Sequence, residues 1–332
     1  MNRLASILAL SLISFCTYNP CSAQWLEVGF AAGASNYMGD LVQGHLAPNE
    51  YNPAFGVFGR YQMSRYLSFR AYVNKLELTG TDANNRSIGL RRRNLNFKTN
   101  VVELGFVNEI SITPYSPRDD KNALPYVYVG VSGFYYNPQA EFQGKFYDLR
   151  PLGTEGQGNV ISGTKPYSKF AFAVPFGIGF KWNVSRLVNV GIDFGMRMTI
   201  TDYLDDVSSE YPNLELLAER DPLAATLSFR GDELDPSLNT ANYKGRTRGN
   251  PENSDWYFVG SVSLSINLTD EYGMEWDPKF RSFSDEPVPK RGNYKVRSKT
   301  ATKKPTKKSK KRFSKKKSKK KSSKSKRGTI RN

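Results

Sequence analysis

Three groups of side chains in this chain have types and spacing that could do chemistry. The first is acidic. In the run TDYLDDVS, Asp202, Asp205 and Asp206 bring three carboxylates close together, with Tyr203 among them. Hard cations take oxygen ligands of this kind. A helix–loop–helix calcium loop also needs a glycine and a glutamate downstream at fixed spacing, and this run lacks both. A solvated turn from strand to loop is the simpler reading, and cation binding stays open. The second group is a single histidine, His45, in a polar stretch without an evident partner. Acyl transfer or hydrolysis would need a hydroxyl or thiol beside a base and an orienting acid. With one base available, the expectation is no catalytic residue and no enzyme. Both cysteines, Cys16 and Cys21, lie near the N-terminus, no His/Cys group has metal-ligand spacing, and no glycine-rich phosphate loop is present. No cofactor is expected. The third group is a block of like charge, with Lys315, Lys316, Lys317, Lys319, Lys320 and Lys321 at its centre.

The elements that must carry these groups are strands. From 169 to 182, Phe170, Phe172, Val174, Phe176, Ile178, Phe180 and Trp182 share one parity. Ala171, Ala173, Pro175, Gly177, Gly179 and Lys181 share the other. A period of two means extended backbone with its side chains on opposite faces. After the turn NVSR the pattern resumes from Val188 to Ile200, giving a hairpin with long strands. Globular strands usually run about 5–6 residues, whereas a tilted membrane-crossing strand needs roughly 9–11. Further alternating runs occupy 25–35, 54–63, 66–78, 95–113, 126–137 and 256–268. The GVFGR and GIGF glycines fall at period two inside strands, where they make room in a narrow lumen.

The strand count is eight, and the connections alternate between short and long. Outer-membrane barrels have this asymmetry, with short periplasmic turns and long outer loops. The fold expected is all-β, an eight-stranded antiparallel transmembrane β-barrel in the outer membrane with both termini periplasmic. A soluble lipocalin-like barrel would also alternate, with its apolar parity turned inward. Aromatics near strand ends (Trp25, Tyr61, Tyr66, Tyr126, Tyr135, Tyr136, Trp182, Trp256 and Tyr257) suit interfacial girdles. Residues 138–166 and 203–254 read as long loops, the second with a short helix at 214–220. Eight strands leave an interior that side chains just fill, too narrow to conduct folded cargo.

The ends differ in kind from the middle. Residues 1–23 read as a signal peptide: Arg3, an apolar run from Leu4 to Phe15, then small residues before the cut. Residues 24–270 form the barrel. Residues 271–332 form a periplasmic linker and a lysine-rich tail, expected to be disordered because it is a block of like charge with no hydrophobic period. Residues 290–332 hold 22 Lys or Arg and no Asp or Glu, so the formal charge of +17 is a body of −5 beneath a strongly basic tail. Lysine runs neutralise anions without reading sequence. In the periplasm no nucleic acid is expected. Acidic proteins, anionic lipid or the carboxylates of peptidoglycan fit better.

The stretch EVGFAAGASNYMGDL and the stretch DFGMRMTITDYLDDVSSEY resemble the PorG-like outer-membrane proteins of the Bacteroidota type IX secretion system. The shared positions are Tyr37, Gly39, Asp40 and Leu41 in the first, and Thr201, Asp202, Tyr203, Asp205, Asp206 and Val207 in the second. The resemblance covers about residues 24–270. It implies an eight-stranded barrel that contacts a periplasmic ring of PorK- and PorN-like proteins, with no catalytic residues. The lysine-rich extension departs from that pattern. The expected role is a structural component that anchors the ring. The alternatives are a small pore, a ligand-binding barrel, or a cell-wall tether working through the tail. The acidic run and Tyr37–Asp40 are expected at one rim, ordering the long loop that follows.

Overall fold

Alternating residues set the strands, and their partners are fixed by which parity can face the interior. The computed structural model describes residues 25–42, 49–114, 123–158, 163–185 and 187–268. Its strands are β1 (Trp25–Met38), β2 (Asn52–Gln62), β3 (Leu67–Thr81), β4 (Asn96–Ser111), β5 (Ala123–Phe142), β6 (Lys145–Asp148), β7 (Phe170–Asn183), β8 (Val188–Thr199) and β9 (Trp256–Asn267). The ladder runs β1–β2–β3–β4–β5–β7–β8–β9, antiparallel throughout, and β9 pairs back onto β1. The result is a closed eight-stranded barrel. Residues 1–23, read as a signal peptide, His45 and the lysine-rich tail lie outside the described residues.

The ninth strand corrects the expectation that 138–166 is all loop. β5 continues past the barrel rim to Phe142, and β6 folds back on it. Gln143 and Gly144 connect them, both at positive φ (51° and 75°), the geometry of a tight two-residue hairpin. Only Gly144 signalled that turn in the sequence. Four short helices lie in the long connections: α1 (Ile88–Arg93), α2 (Leu149–Leu152), α3 (Leu214–Arg220) and α4 (Pro222–Ser228). Residues 79–94, between the predicted strands 66–78 and 95–113, contain the end of β3 and α1.

The apolar parity faces outward. Phe172 is 67% exposed, and its neighbour Ala173 is 3% exposed. Phe30, Phe55, Val57, Val73, Leu104, Val129, Ile178, Phe194, Val262 and Leu264 extend the same belt around the barrel. In water this belt would be unfavourable by about 25 cal/mol per Å². In hydrocarbon it is the favourable surface, and closure leaves no sheet edge unpaired. No helix of the described residues is long and apolar enough to cross a membrane. A closed antiparallel barrel with an apolar outside and a polar inside is the outer-membrane architecture. The parity excludes the lipocalin-like alternative.

The lumen has two layers. Near the short turns it is ionic. Arg60 lies opposite both Glu27 and Arg70 in the strand register. Two guanidiniums facing each other would repel, and Glu109 on β4 resolves this by bridging them, 2.6 Å from Arg60 and 2.8 Å from Arg70. Arg60 also reaches Glu27 at 2.5 Å, and Arg70 reaches Asp193 at 3.1 Å. Lys181 meets Glu27 at 3.1 Å. Tyr126 donates to Asp193 (2.7 Å) and Tyr72 to Glu103 (2.9 Å). Cβ atoms at Gly105 and Gly179 would lie 2.2 and 2.3 Å from the Tyr72 and Tyr126 rings, so those glycines make the space the tyrosines occupy. A cavity of about 40 Å³ between these side chains has room for only a few waters.

Towards the long connections the lumen becomes apolar, with Leu76, Leu78, Phe97, Val101, Phe134, Tyr136, Tyr257 and Val259 packed together. This corrects the placing of Tyr126, Tyr136 and Tyr257 in an interfacial girdle. All three are on the inward parity and buried, whereas Tyr61, Tyr66, Tyr135 and Trp182 are exposed. Nearness to a strand end does not set the side chain's face.

Removing Glu109 would leave two buried guanidiniums short of an anion. Glu109→Ala should lower the unfolding free energy by about 3–5 kcal/mol, the usual effect of breaking a buried pair. Urea unfolding of the refolded protein, followed by tryptophan fluorescence, measures this. An unchanged midpoint would mean the lattice contributes nothing to stability.

Candidate functional site

All the long connections leave the barrel at one end, and there they build a cap. Its centre is the acidic run after β8. Leu204 and Val207 within that run are buried in the apolar layer of the lumen. Their burial draws the backbone between them into the barrel mouth, and the adjacent carboxylates go with it. This corrects the reading of 202–206 as a solvated turn: Asp205 and Asp206 are buried.

Tyr37, at the end of β1, binds two carboxylates. Its hydroxyl lies 2.6 Å from Asp205 Oδ2 and 2.6 Å from Asp255 Oδ1. The remaining oxygens accept backbone N–H groups, Asp205 Oδ1 from Val207 and Asp255 Oδ2 from Leu204, both at 2.9 Å. One phenol has one proton to donate, and the second short O···O contact needs another. A carboxyl in the pair therefore holds a proton. Burial raises both carboxyls well above the ordinary aspartate range, Asp40 adds to this at Asp205, and Asp205 adds to it at Asp255.

Asp206 forms a second node. Its backbone is left-handed (φ 68°). Its carboxylate accepts from the hydroxyls of Thr154 and Tyr167, the latter at 2.6 Å. Burial pushes its pKa up to about 6, against the attraction of Arg248. Arg248 donates to the Asp206 carbonyl (2.6 Å) and to Glu155 (2.8 Å), and Glu155 in turn accepts from the N–H groups of Ser208 and Ser209. Arg93 holds Asp82 with two bonds of 2.8 and 2.7 Å and donates to the carbonyl of Asp40 at 3.0 Å.

The other predicted positions fall around these nodes. A Cβ at Gly39 would lie 2.0 Å from the Tyr37 hydroxyl and from Asp255, so any side chain there would displace the pair. Asp40 accepts from the Asn250 N–H at 2.7 Å. Tyr203 stacks on Tyr167, with ring centroids 4.7 Å apart, and Tyr167 stacks on Tyr136. Asp202 sits half-buried at the edge. Burial pushes its pKa up to about 7, with Asp40 and Glu155 contributing. Among the described residues no group of three His, Cys, Asp or Glu side chains could hold a metal ion. At Asp205 and Asp206 the carboxylate oxygens are occupied by hydroxyl and amide donors.

The arrangement holds a cap closed. Sequence reasoning missed Asp255, Glu155, Arg248, Arg93, Asp82 and Tyr167. Asp255 immediately precedes a strand, and Glu155 lies in a glycine-rich run. Neither position carries a local signal, because the partners are far apart in the chain. The charges on the inward parity (Glu27, Arg60, Arg70, Glu103, Glu109, Lys181, Asp193 and Arg197) did carry one, since a charge at an inward position must find a partner.

Residues 6–150 match a family described as a domain of unknown function (DUF6089). No curated protein is significantly similar. Among solved structures, the chain is similar to the attachment invasion locus protein Ail of Yersinia pestis, in complex with the heparin analogue sucrose octasulfate. The identity is 7% and the TM-score 0.33, over 74% of this chain and 97% of that one. It is also similar to Neisserial surface protein A (8%, TM-score 0.33, 73% and 96%) and to the outer membrane protein OprG from Pseudomonas aeruginosa (8%, TM-score 0.32, 74% and 95%). At this level of similarity the fold rests on the strand ladder itself.

The raised carboxyls give the cap a pH dependence of definite sign. Below the ordinary aspartate value near 4, these groups are protonated in folded and unfolded chains alike. As pH rises the unfolded chain ionises first, while Asp206 and Asp202 hold their protons to about 6 and about 7. Cap stability is therefore highest on the acid side and is lost as pH rises through those values. Protection of the Leu204 and Val207 amides against hydrogen exchange, corrected for intrinsic rates, should fall from pH 5 to pH 8. A rise over that range would contradict the proton count. Tyr37→Phe should lower protection at every pH. Asp205→Asn, which mimics the protonated partner, should preserve it and leave in place the fall that Asp206 and Asp202 cause.

Proposed function

We propose that this protein is a non-enzymatic structural component of the outer membrane, a closed barrel that anchors a periplasmic assembly. The observation that carries this reading is the filled lumen. An ionic layer, an apolar layer and a cap succeed one another along the axis, and no catalytic set accompanies them among the described residues. A barrel closed in this way contributes a fixed position in the membrane rather than a passage through it.

The short turns between β2 and β3 and between β7 and β8 lie at the end where β1 begins and β9 finishes. By the usual asymmetry of outer-membrane barrels that end faces the periplasm, with the cap outside. The tail that follows β9 would then start in the periplasm. The reading as a type IX secretion component is supported by the Tyr37–Leu41 and Thr201–Val207 motifs and their resemblance to PorG-like proteins. The partners would be a PorK- and PorN-like ring, met by the periplasmic turns. Lys315, Lys316, Lys317, Lys319, Lys320 and Lys321 would add electrostatic attachment to an anionic surface such as peptidoglycan. Asp202, Tyr203, Asp205 and Asp206, with Tyr37, Gly39 and Asp40, would order the outer cap and take no part in docking.

Affinity purification from native membranes tests the assignment. The full chain should bring down the ring proteins, and a chain ending at residue 286 should bring down less, with the difference between the two shrinking as salt is raised. Recovery of the barrel without ring proteins would remove the secretion role.

A further inference from the structure

The cap contains a cavity that neither the closed lumen nor the anchoring role uses. It lies between α1 and the segment that follows α4, and its volume is about 320 Å³. That is ligand-sized. Its walls are fixed by the cap's own bonds: Arg93 is held by Asp82, and Arg248 by Glu155. Its floor is aromatic. Phe229 lies 4.4 Å from Tyr243 and 5.7 Å from Tyr211 between centroids.

The mouth has a different character. Arg92 and Arg246 also line the cavity, and both are exposed. Neither forms an ion pair among the described residues, unlike the buried Arg93 and Arg248 below them. Arg246 lies 5.0 Å over the Tyr243 ring, which presents its guanidinium at the entrance. The one carboxylate in the lining is Asp40, and one of its oxygens is taken by the Asn250 N–H. Asp235 lies near enough for the Arg92 charge to favour its ionised form without forming an ion pair, so Arg246 and an incompletely neutralised Arg92 leave an excess of positive potential at the mouth for an incoming anion.

The volume and lining narrow the ligand class. A bare phosphate would leave most of the space empty. A planar base would need an open ring face, but Tyr211 and Phe229 are buried and pack against Tyr243. A sugar needs only ring edges below and polar groups around its rim, which Thr247, Asn250 and the backbone of Gly89 supply. We propose that this cavity binds an anionic saccharide, a sugar bearing phosphate or carboxylate, with Arg92 and Arg246 holding the charged group. If the cap faces outward, the sugar could come from a lipid-linked surface glycan or from a free sugar phosphate.

Calorimetry on the refolded full chain tests this with defined probes. Glucose 6-phosphate and tri-galacturonate should bind more tightly than inorganic phosphate, and glucose should bind weakest. Arg92→Ala and Arg246→Ala should each weaken the anionic sugars roughly tenfold, as expected for a lost charge-assisted hydrogen bond. Arg92→Glu should weaken them further. The basic tail's own affinity for anions is present in every variant and cancels. Unchanged thermal midpoints for these exposed positions would show that the cap remains folded. If a variant's midpoint does fall, glucose 6-phosphate against inorganic phosphate on the native chain still decides, since the tail attracts these two like-charged probes alike. Nanodiscs containing phosphorylated lipopolysaccharide, compared with phosphatidylcholine nanodiscs, separate the lipid-linked source from the free one. Equal binding of phosphate and sugar phosphate, or binding unaffected by both arginine substitutions, would overturn the proposal.

Discussion

The structure depends on how a lipid-facing barrel neutralises the charges it encloses. Strand register puts Arg60 opposite Arg70 inside a lumen with little water. That juxtaposition is tolerable only because Glu109 lies between them and Glu27 and Asp193 flank them. The lattice ties β1, β2, β3, β4 and β8 together across the lumen. Ladder hydrogen bonds alone would close the wall and leave the centre open. The ionic layer fills the centre that the wall encloses.

The upper half solves a different problem by related means. Long polar connections must be held over an apolar lumen without leaving backbone groups unpaired. Leu204 and Val207 enter the barrel as apolar anchors, and the carboxylates of Asp255 and Asp205 accept their N–H groups. Those carboxylates are then buried, and Tyr37 with one retained proton keeps them there. Arg93 and Arg248 serve the outer part of the cap in the same way. The cap and the barrel are therefore one packed body, and both its rigidity and its cavity follow from that packing.

Much of this was legible in the residues. Period two gave the strands, and their length gave the membrane. The alternation of short and long connections placed the cap at a single end. Charges such as Lys181, Asp193 and Arg197 stood on the small-residue parity, which marks them as inward. Their pairing was not legible, because it follows from closure of β9 on β1 and from the register of every strand between. The cap was hidden for the same reason. Tyr37 meets Asp205 and Asp255 across separations of 168 and 218 residues, which no local window contains. The hairpin at Gln143–Gly144 was missed for a local reason, since glutamine rarely adopts positive φ.

A lumen filled along its axis blocks ions, and ion conduction reads this directly. Purified protein reconstituted into planar bilayers should give no steady conductance, because the ionic layer, the apolar layer and the cap all obstruct the path. Regular, reproducible open-channel steps from the native chain would contradict the account and favour a pore.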